Sequence, residues 1–388
     1  MRRLSQSPTA DGFVQDPYPF YARARAAGPL VWWEDYAMPV ATTHAAVLAI
    51  LKDRRFGREA PPAPVPPHLE PFHAIEAHSM LELDPPRHTR LRGLVNRAFT
   101  SRAVAALGPG IEALCHALID AFPEREPFDL LPLYAQRVPV TTIARLLGVP
   151  EADAPDLLRW SHAMVAMYQA GRSSAVEDAA ARAAADFAGY LRDAVARKRA
   201  APGEDLLSEL IAAREAGDRL SEEELVSTAI LLLNAGHEAT VHAIGNGAAA
   251  LLAHGLAASG DPDRLVEEAL RFDPPLHLFT RRAVEEAEIL GHRFAPGDPV
   301  GCLLASANRG PAAHEAPDRF DPAREPRLHA AFGAGIHFCV GASLGRLEMR
   351  VALPVLFARR PGLRLAERPR YARSYHFHGL ERLMVEAA

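Results

Sequence analysis

Phe332-Gly333-Ala334-Gly335-Ile336-His337-Phe338-Cys339-Val340-Gly341 is the stretch on which the reading of this chain turns. Two glycines and a flanking third let backbone approach something flat and bulky, because glycine carries no Cβ. The residues that follow, Ala342 to Phe357, read as a helix. A cysteine just ahead of a helix N-terminus has its thiolate favoured by the helix dipole and by free N–H groups. Taken alone, Cys339 has two other readings. It is either a small buried apolar residue, the usual state of an unpaired cysteine, or a nucleophile beside His337.

The rest of the composition narrows the field. The chain has 388 residues, 49% of them hydrophobic, enough for a large core. A net charge of −5 gives no push toward nucleic acid. The three cysteines, Cys115, Cys302 and Cys339, show no CxxC spacing, which argues against a zinc ribbon or redox pair and fits a reducing cytosol. No apolar stretch reads as long enough to span a bilayer, and no apolar core follows Met1-Arg2-Arg3, so a cytoplasmic location is expected.

Along the chain, helices dominate. Ala180 to Ala200 places Phe187, Tyr190, Leu191 and Val195 at helical spacing. Ser221 and Glu224 form a capping box, and the absence of proline from there to about His254 predicts a helix of about 30 residues, 45–50 Å long at 1.5 Å per residue. Another helix starts at Asp261-Pro262. Ala60 to His68 is proline-rich and irregular. Strands are expected only at Leu30 to Trp33, Met38 to Ala41, Glu288 to Phe294 and Leu383 to Glu386. This is a mainly α chain with small accessory sheets, and nothing in it reads as a linker, so one domain over 1–388 is expected.

The 332–341 stretch resembles the haem-binding loop of cytochromes P-450, FGxGxHxCxG, at every fixed position. The resemblance implies a mainly α, single-domain P-450 fold binding haem b (iron protoporphyrin IX), with Cys339 as axial thiolate to the iron. Such a ligand pushes electron density toward iron and favours O–O cleavage. Phe332, Gly333 and Gly341 belong to the same loop.

Other segments agree with it in order and spacing. Glu268-Ala269-Leu270-Arg271 alone is an ordinary i,i+3 pair worth a few tenths of a kcal/mol. In the family it locks against an arginine downstream, for which Pro317-Asp318-Arg319-Phe320 offers Arg319. His88 and Arg92 share a helix face at i,i+4. By themselves they read as part of a basic surface with Arg87, Arg90 and Arg97, and the resemblance makes them contacts for the haem propionates, with Arg281 and His337 as the third and fourth.

Asn234-Ala235-Gly236-His237-Glu238-Ala239-Thr240 lies inside the long predicted helix. Gly236 costs the helix about 1 kcal/mol against alanine. Close helix packing, a π-bulge or approach of a planar cofactor beside Ala235 would each account for it. In the family an acid and a threonine here order water and deliver protons. Glu238 keeps the acid, but Ala239 stands where the threonine is usual. Thr240, one residue on, is rotated by about 100°.

By family position, the substrate pocket is expected near Met80 and Leu81, Leu232 to Ala239, Leu276 to Phe279 and Phe377, with His73 and His277 as polar anchors. That implies a small or medium apolar substrate receiving one oxygen atom from O₂, with electrons from a separate ferredoxin and ferredoxin reductase. No nucleic-acid or membrane partner is expected. Arg346 and Arg350, one turn apart, with Arg90 and Arg97, suggest a cationic face for an acidic ferredoxin. The rival readings are a peroxide-driven peroxygenase, a haem-thiolate binding or sensor protein without turnover, and a helical hydrolase using Cys339 and His337.

Overall fold

A computed structural model describes the chain apart from residues 214–219, 257, 259, 376 and 388. Two compact units emerge, each assembled from separate stretches of sequence. The first comprises Met1–Gly57, Gly108–Gln136 and Ala239–Ala388, and the second Arg58–Leu107 and Arg137–Glu238.

Among the described residues, the first unit holds all the sheets. Its six-stranded mixed sheet runs in the order Arg3–Leu4, Leu30–Trp33, Met38–Ala41, Pro299–Leu303, Leu278–Ala283, Phe56–Gly57. Strands Leu278–Ala283 and Pro299–Leu303 are central to it and were not among the expected strands. They pair antiparallel, Phe279 opposite Cys302 and Arg281 opposite Val300. Val300, Cys302 and Leu303 are fully buried, with Val47 and Ile50 of helix His44–Lys52 among the buried apolar residues near this sheet. The expected strand Glu288 to Phe294 is a hairpin, Ala287–Ile289 against His292–Phe294, broken by left-handed Leu290 and Gly291. Met384–Glu386 pairs with Arg364–Leu365 and Phe128–Asp129.

The second unit is helical: Glu70–Glu76, Arg87–Ala98, Arg137–Leu147, Ala154–Val165, Ser174–Ala200 and shorter helices. The long helix spans Glu222–Ala253, 32 residues. Its start is fixed by the expected capping box: Glu224 N–H donates to Ser221 Oγ at 3.1 Å, and Ser221 N–H donates to Glu224 Oε2 at 3.0 Å. It ends ahead of Gly255, which takes φ +61°. Its first half belongs to the second unit and its second half, from Ala239, to the first.

No apolar stretch was expected to be long enough to span a bilayer, but one of that length is present. Ser101–Asp120, 20 residues, is apolar enough by length and composition alone to cross a membrane. The run is divided between helices Ser101–Ala106 and Gly108–Asp120.

Candidate active site

The cysteine loop is closed by its own backbone. Cys339 N–H donates to Phe332 O at 3.0 Å, Phe338 N–H to Gly335 O at 3.1 Å and Gly333 N–H to Ala330 O at 2.8 Å. Gly333 and Gly335 take φ +69° and +74°, the left-handed region that glycine adopts at little cost. At Gly335 a Cβ would also lie 2.1 Å from the Leu51 carbonyl oxygen. The close approach that Gly335 permits is therefore to the chain itself, at the end of helix His44–Lys52.

Cys339 precedes helix Ala342–Arg359 by three residues, and Ala342 N–H points back to its carbonyl at 3.4 Å. Of the three cysteines, only Cys339 is exposed, and none is in a disulfide. Burial pushes the Cys115 thiol up to about 11 and the Cys302 thiol up to about 12, so both are inert. Ile336 and Phe338, on the same loop, are also exposed. An exposed sulfur at a helix N-terminus, beside exposed apolar side chains, fits a large apolar group carrying a thiolate-seeking metal. His337 is half-buried. Arg281 is only 2% exposed, with its guanidinium 4.9 Å from the Phe279 ring centre and donating to Thr280 O.

Beneath the loop lies a buried ion-pair network. Arg271 binds Glu268 in a two-pronged pair at 2.7 and 2.8 Å. The expected third member was Arg319, and the structure overturns this. The Arg319 side chain is 73% exposed and lies 3.5 Å from Asp321, and only its backbone carbonyl accepts from Arg271. Arg324, 16% exposed, places Nε 3.0 Å from Glu268 Oε2 instead. The network reaches the cysteine loop through Asn308. Arg271 donates to Asn308 O, and Asn308 Oδ1 accepts Ala330 N–H at 2.6 Å.

Helix Ala342–Arg359 adds a second brace. Arg346 donates to both oxygens of Glu267, at 2.5 and 3.1 Å, while its guanidinium lies 4.4 Å from the Phe332 ring centre. Burial alone would raise the Glu267 carboxyl, but hydrogen bonds from His329 and Arg346 outweigh it and hold the group at about 2. Arg350 pairs with Asp263 at 2.8 Å. Neither arginine is merely solvated.

In the second unit, helix Arg87–Ala98 carries His88 and Arg92 at the expected i,i+4 spacing, with His88 buried and Arg92 half-buried. Its start is held by Asp84, whose carboxylate accepts Arg58 N–H and Glu59 N–H and whose carbonyl accepts His88 N–H. Arg90, an expected member of the cationic face, pairs with Glu224 at 2.5 Å and so ties this helix to the start of the long one.

The long helix is α-helical without interruption at Gly236, so no π-bulge is present there. A Cβ on Gly236 would come within 3.0 Å of the Ile143 side chain, which makes close packing the reason for the glycine. Ala235 is exposed and Ala239 partly buried, while His237 and Glu238 are buried. Thr240 Oγ1 is turned toward Gly345, 3.5 Å from where a Cβ on that residue would lie, as the rotation of one helical position requires. Sequence reasoning missed His162. On helix Ala154–Val165, its Nε2 lies 3.2 Å from Glu238 Oε2, and this hydrogen bond raises its pKa.

Two of the expected lining positions meet, Leu276 and Phe377 forming an isolated antiparallel bridge. His277 is not an anchor beside them. It is fully buried, stacked on His378 at 4.2 Å and hydrogen-bonded to Tyr21. Asp273, the hub of this cluster, accepts from Tyr18 and Tyr371, each at 2.6 Å.

The family model described as "Cytochrome P450" matches residues 263–359, the segment from the Glu268–Arg271 pair through the cysteine loop to the end of its helix. Cytochrome P450 monooxygenase PikC of Streptomyces venezuelae is 39% identical over 95% of this chain and 92% of its own length. The vitamin D(3) 25-hydroxylase of Pseudonocardia autotrophica is 40% identical over 96% and 94%. The chain is a cytochrome P450. As such it is an oxidoreductase of the bacterial haem-thiolate monooxygenase family. The fold agrees: the crystal structure of P450BioI in complex with hexadec-9Z-enoic acid-ligated acyl carrier protein matches with a TM-score of 0.92 at 33% identity, covering 97% of this chain and 100% of that one. Against the P450 pattern, the departure that stands out is the alanine at position 239.

Proposed function

We propose that this P450 inserts one oxygen atom from O₂ into a small or medium, largely apolar organic molecule, with Cys339 as the residue that would hold the iron of haem b. The observation that carries this is the one exposed thiol of the chain, held by a glycine-turned loop three residues ahead of a helix N-terminus. When bound, the haem supplies a thiolate-ligated iron that activates dioxygen.

The remaining roles belong to this chain's own residues. The loop N–H groups and the helix dipole favour the sulfur as thiolate. Arg281, Arg92, His88 and His337 supply positive or hydrogen-bonding character for the two propionates. Phe332, Gly333, Gly341 and Ala235 offer apolar or side-chain-free surface to a flat ring. Glu238 and Gly236 belong to the oxygen-facing turn, with Glu238 holding the proton that Ala239 and Thr240 are not placed to pass on. The two compact units are read as halves of one domain over 1–388, because a single helix contributes to both.

Electrons are proposed to come from a separate ferredoxin and ferredoxin reductase in the cytoplasm. The test is turnover with a surrogate ferredoxin system under ¹⁸O₂. The expected result is product carrying one labelled oxygen and consuming NAD(P)H. Unlabelled product, or none across a library of compounds that shift the haem spectrum, would refute it. A peroxide-driven reading is favoured by one observation, the Ala239 methyl in place of a hydroxyl. Fast turnover with hydrogen peroxide alone would establish it.

A further inference from the structure

His162, His237 and Glu238 bring two imidazole nitrogens and a carboxylate oxygen within 4.8 Å of one another. His237 is 1% exposed. Its Nδ1–H donates to the Leu233 carbonyl at 2.6 Å. That bond makes Nδ1 the donor and leaves Nε2 as the ring atom that faces Glu238. This Nε2 has no hydrogen-bond partner among the described residues and lies 3.4 Å from Glu238 Oε2. With a neutral ring, the Nε2 lone pair would face that carboxylate oxygen in a buried place, which is unfavourable unless a positive charge stands between them. His162 Nε2 approaches the same oxygen at 3.2 Å.

We propose that these three side chains form a binding site for a late first-row divalent cation, zinc above all. Zinc at about 2.0–2.1 Å from nitrogen and oxygen sets its ligands about 3.4 Å apart along a tetrahedral edge, and the separations of Glu238 Oε2 from His162 Nε2, 3.2 Å, and from His237 Nε2, 3.4 Å, match that spacing. A metal-bound histidine almost always gives its other N–H to a carbonyl or carboxylate, which His237 already does with Leu233. The two helices meet at this level without metal, since Asn234 Nδ2 contacts Met164 Sδ at 3.7 Å. The side chain of His162 is 45% exposed, so the ion enters from that side and solvent takes the fourth position. Zinc displaces the proton shared by His162 and Glu238. A second consequence rests on the role given above to Glu238: with zinc bound, that carboxylate no longer handles protons, so turnover slows.

The experiment is equilibrium dialysis of the holoprotein against micromolar zinc, with zinc and iron measured by atomic emission. About one zinc per iron is expected, with affinity falling at least about tenfold in His162→Ala and unchanged in His68→Ala, an exposed histidine elsewhere. His162→Ala should keep the carbon monoxide spectrum of the parent, which separates loss of the site from loss of the fold. Less than one zinc per iron at saturation, or equal uptake by His162→Ala, overturns the site. Chelator-reversible slowing of product formation supports the regulatory consequence. Full uptake with unchanged turnover refutes the proton role of Glu238.

Discussion

Gly335 shows how much one residue decides. Its φ of +74° and the Leu51 carbonyl in the place of any Cβ leave no room for a side chain. Gly335→Ala should therefore destabilise the protein by more than about 2 kcal/mol and lower haem content, both measurable by thermal unfolding and by the ratio of Soret to protein absorbance. Gly333→Ala carries only the φ penalty, since no atom lies closer than 3.9 Å to its Cβ position, and should be the milder change. At Ala239 the expectation runs the other way. If protons reach the oxygen site through Glu238, restoring a threonine gains nothing and crowds the turn, so Ala239→Thr should leave product per NAD(P)H unchanged or lower. Glu238→Gln should cut it more, since a positioned acid is worth about 10²–10⁴-fold. A large rise in coupling for Ala239→Thr would show that the chain lacks any substitute relay.

At the scale of elements, the long helix was readable because its signals are local. Ser221 and Glu224 lie three residues apart, and the reciprocal bonds they make are those the pair of residue types allows. Ser221→Ala should cost about 1 kcal/mol in urea unfolding. Glu224→Ala should cost more, because the same carboxylate also binds Arg90. Strands Leu278–Ala283 and Pro299–Leu303 escaped the sequence reading for the opposite reason. Their partners are each other and two segments far away in the chain, Met38–Ala41 and Phe56–Gly57, and Arg281 and Arg282 interrupt the apolar alternation. The same limit explains the error at Arg319. A PxRF-like string was visible, but which arginine turns inward is set by tertiary packing, and the chain turns Arg324 to Glu268 while leaving Arg319 in water. Arg324→Ala should accordingly destabilise by about 3–5 kcal/mol, the cost of breaking a buried pair, and Arg319→Ala by under about 0.5 kcal/mol. The roles of the site residues toward haem belong to the proposed function, but the cysteine loop was legible through its resemblance to the family pattern, and the helix carrying His88 and Arg92 four residues apart was legible from the sequence. His162 was not, since nothing local marks it, and His277 was misread because the Asp273 cluster that engages it assembles only in the fold.

For the whole molecule, pH and salt are the informative variables. Burial, reinforced by His378, lowers the His277 pKa to about 3. Burial likewise lowers that of His314 to about 4. Both histidines take up a proton more readily unfolded than folded, so between about pH 6.5 and their folded values the unfolded state binds more protons and stability falls as pH falls. Urea midpoints should drop from pH 7.5 to 5, and less steeply in His277→Gln. Reduction by an acidic ferredoxin should slow as salt rises. The dependence should be modest, because Arg346 and Arg350 are already paired with Glu267 and Asp263, and Arg350→Gln should slow reduction only slightly. Flat rates across ionic strength would exclude electrostatic steering. The proposed function rests on the assignment of Cys339 as the residue that would hold the haem iron. The most direct test is the ferrous carbon monoxide spectrum of the purified protein and of Cys339→Ser. The account predicts the red-shifted Soret band of thiolate ligation in the parent and its loss in the variant. A band that survives the substitution would contradict it.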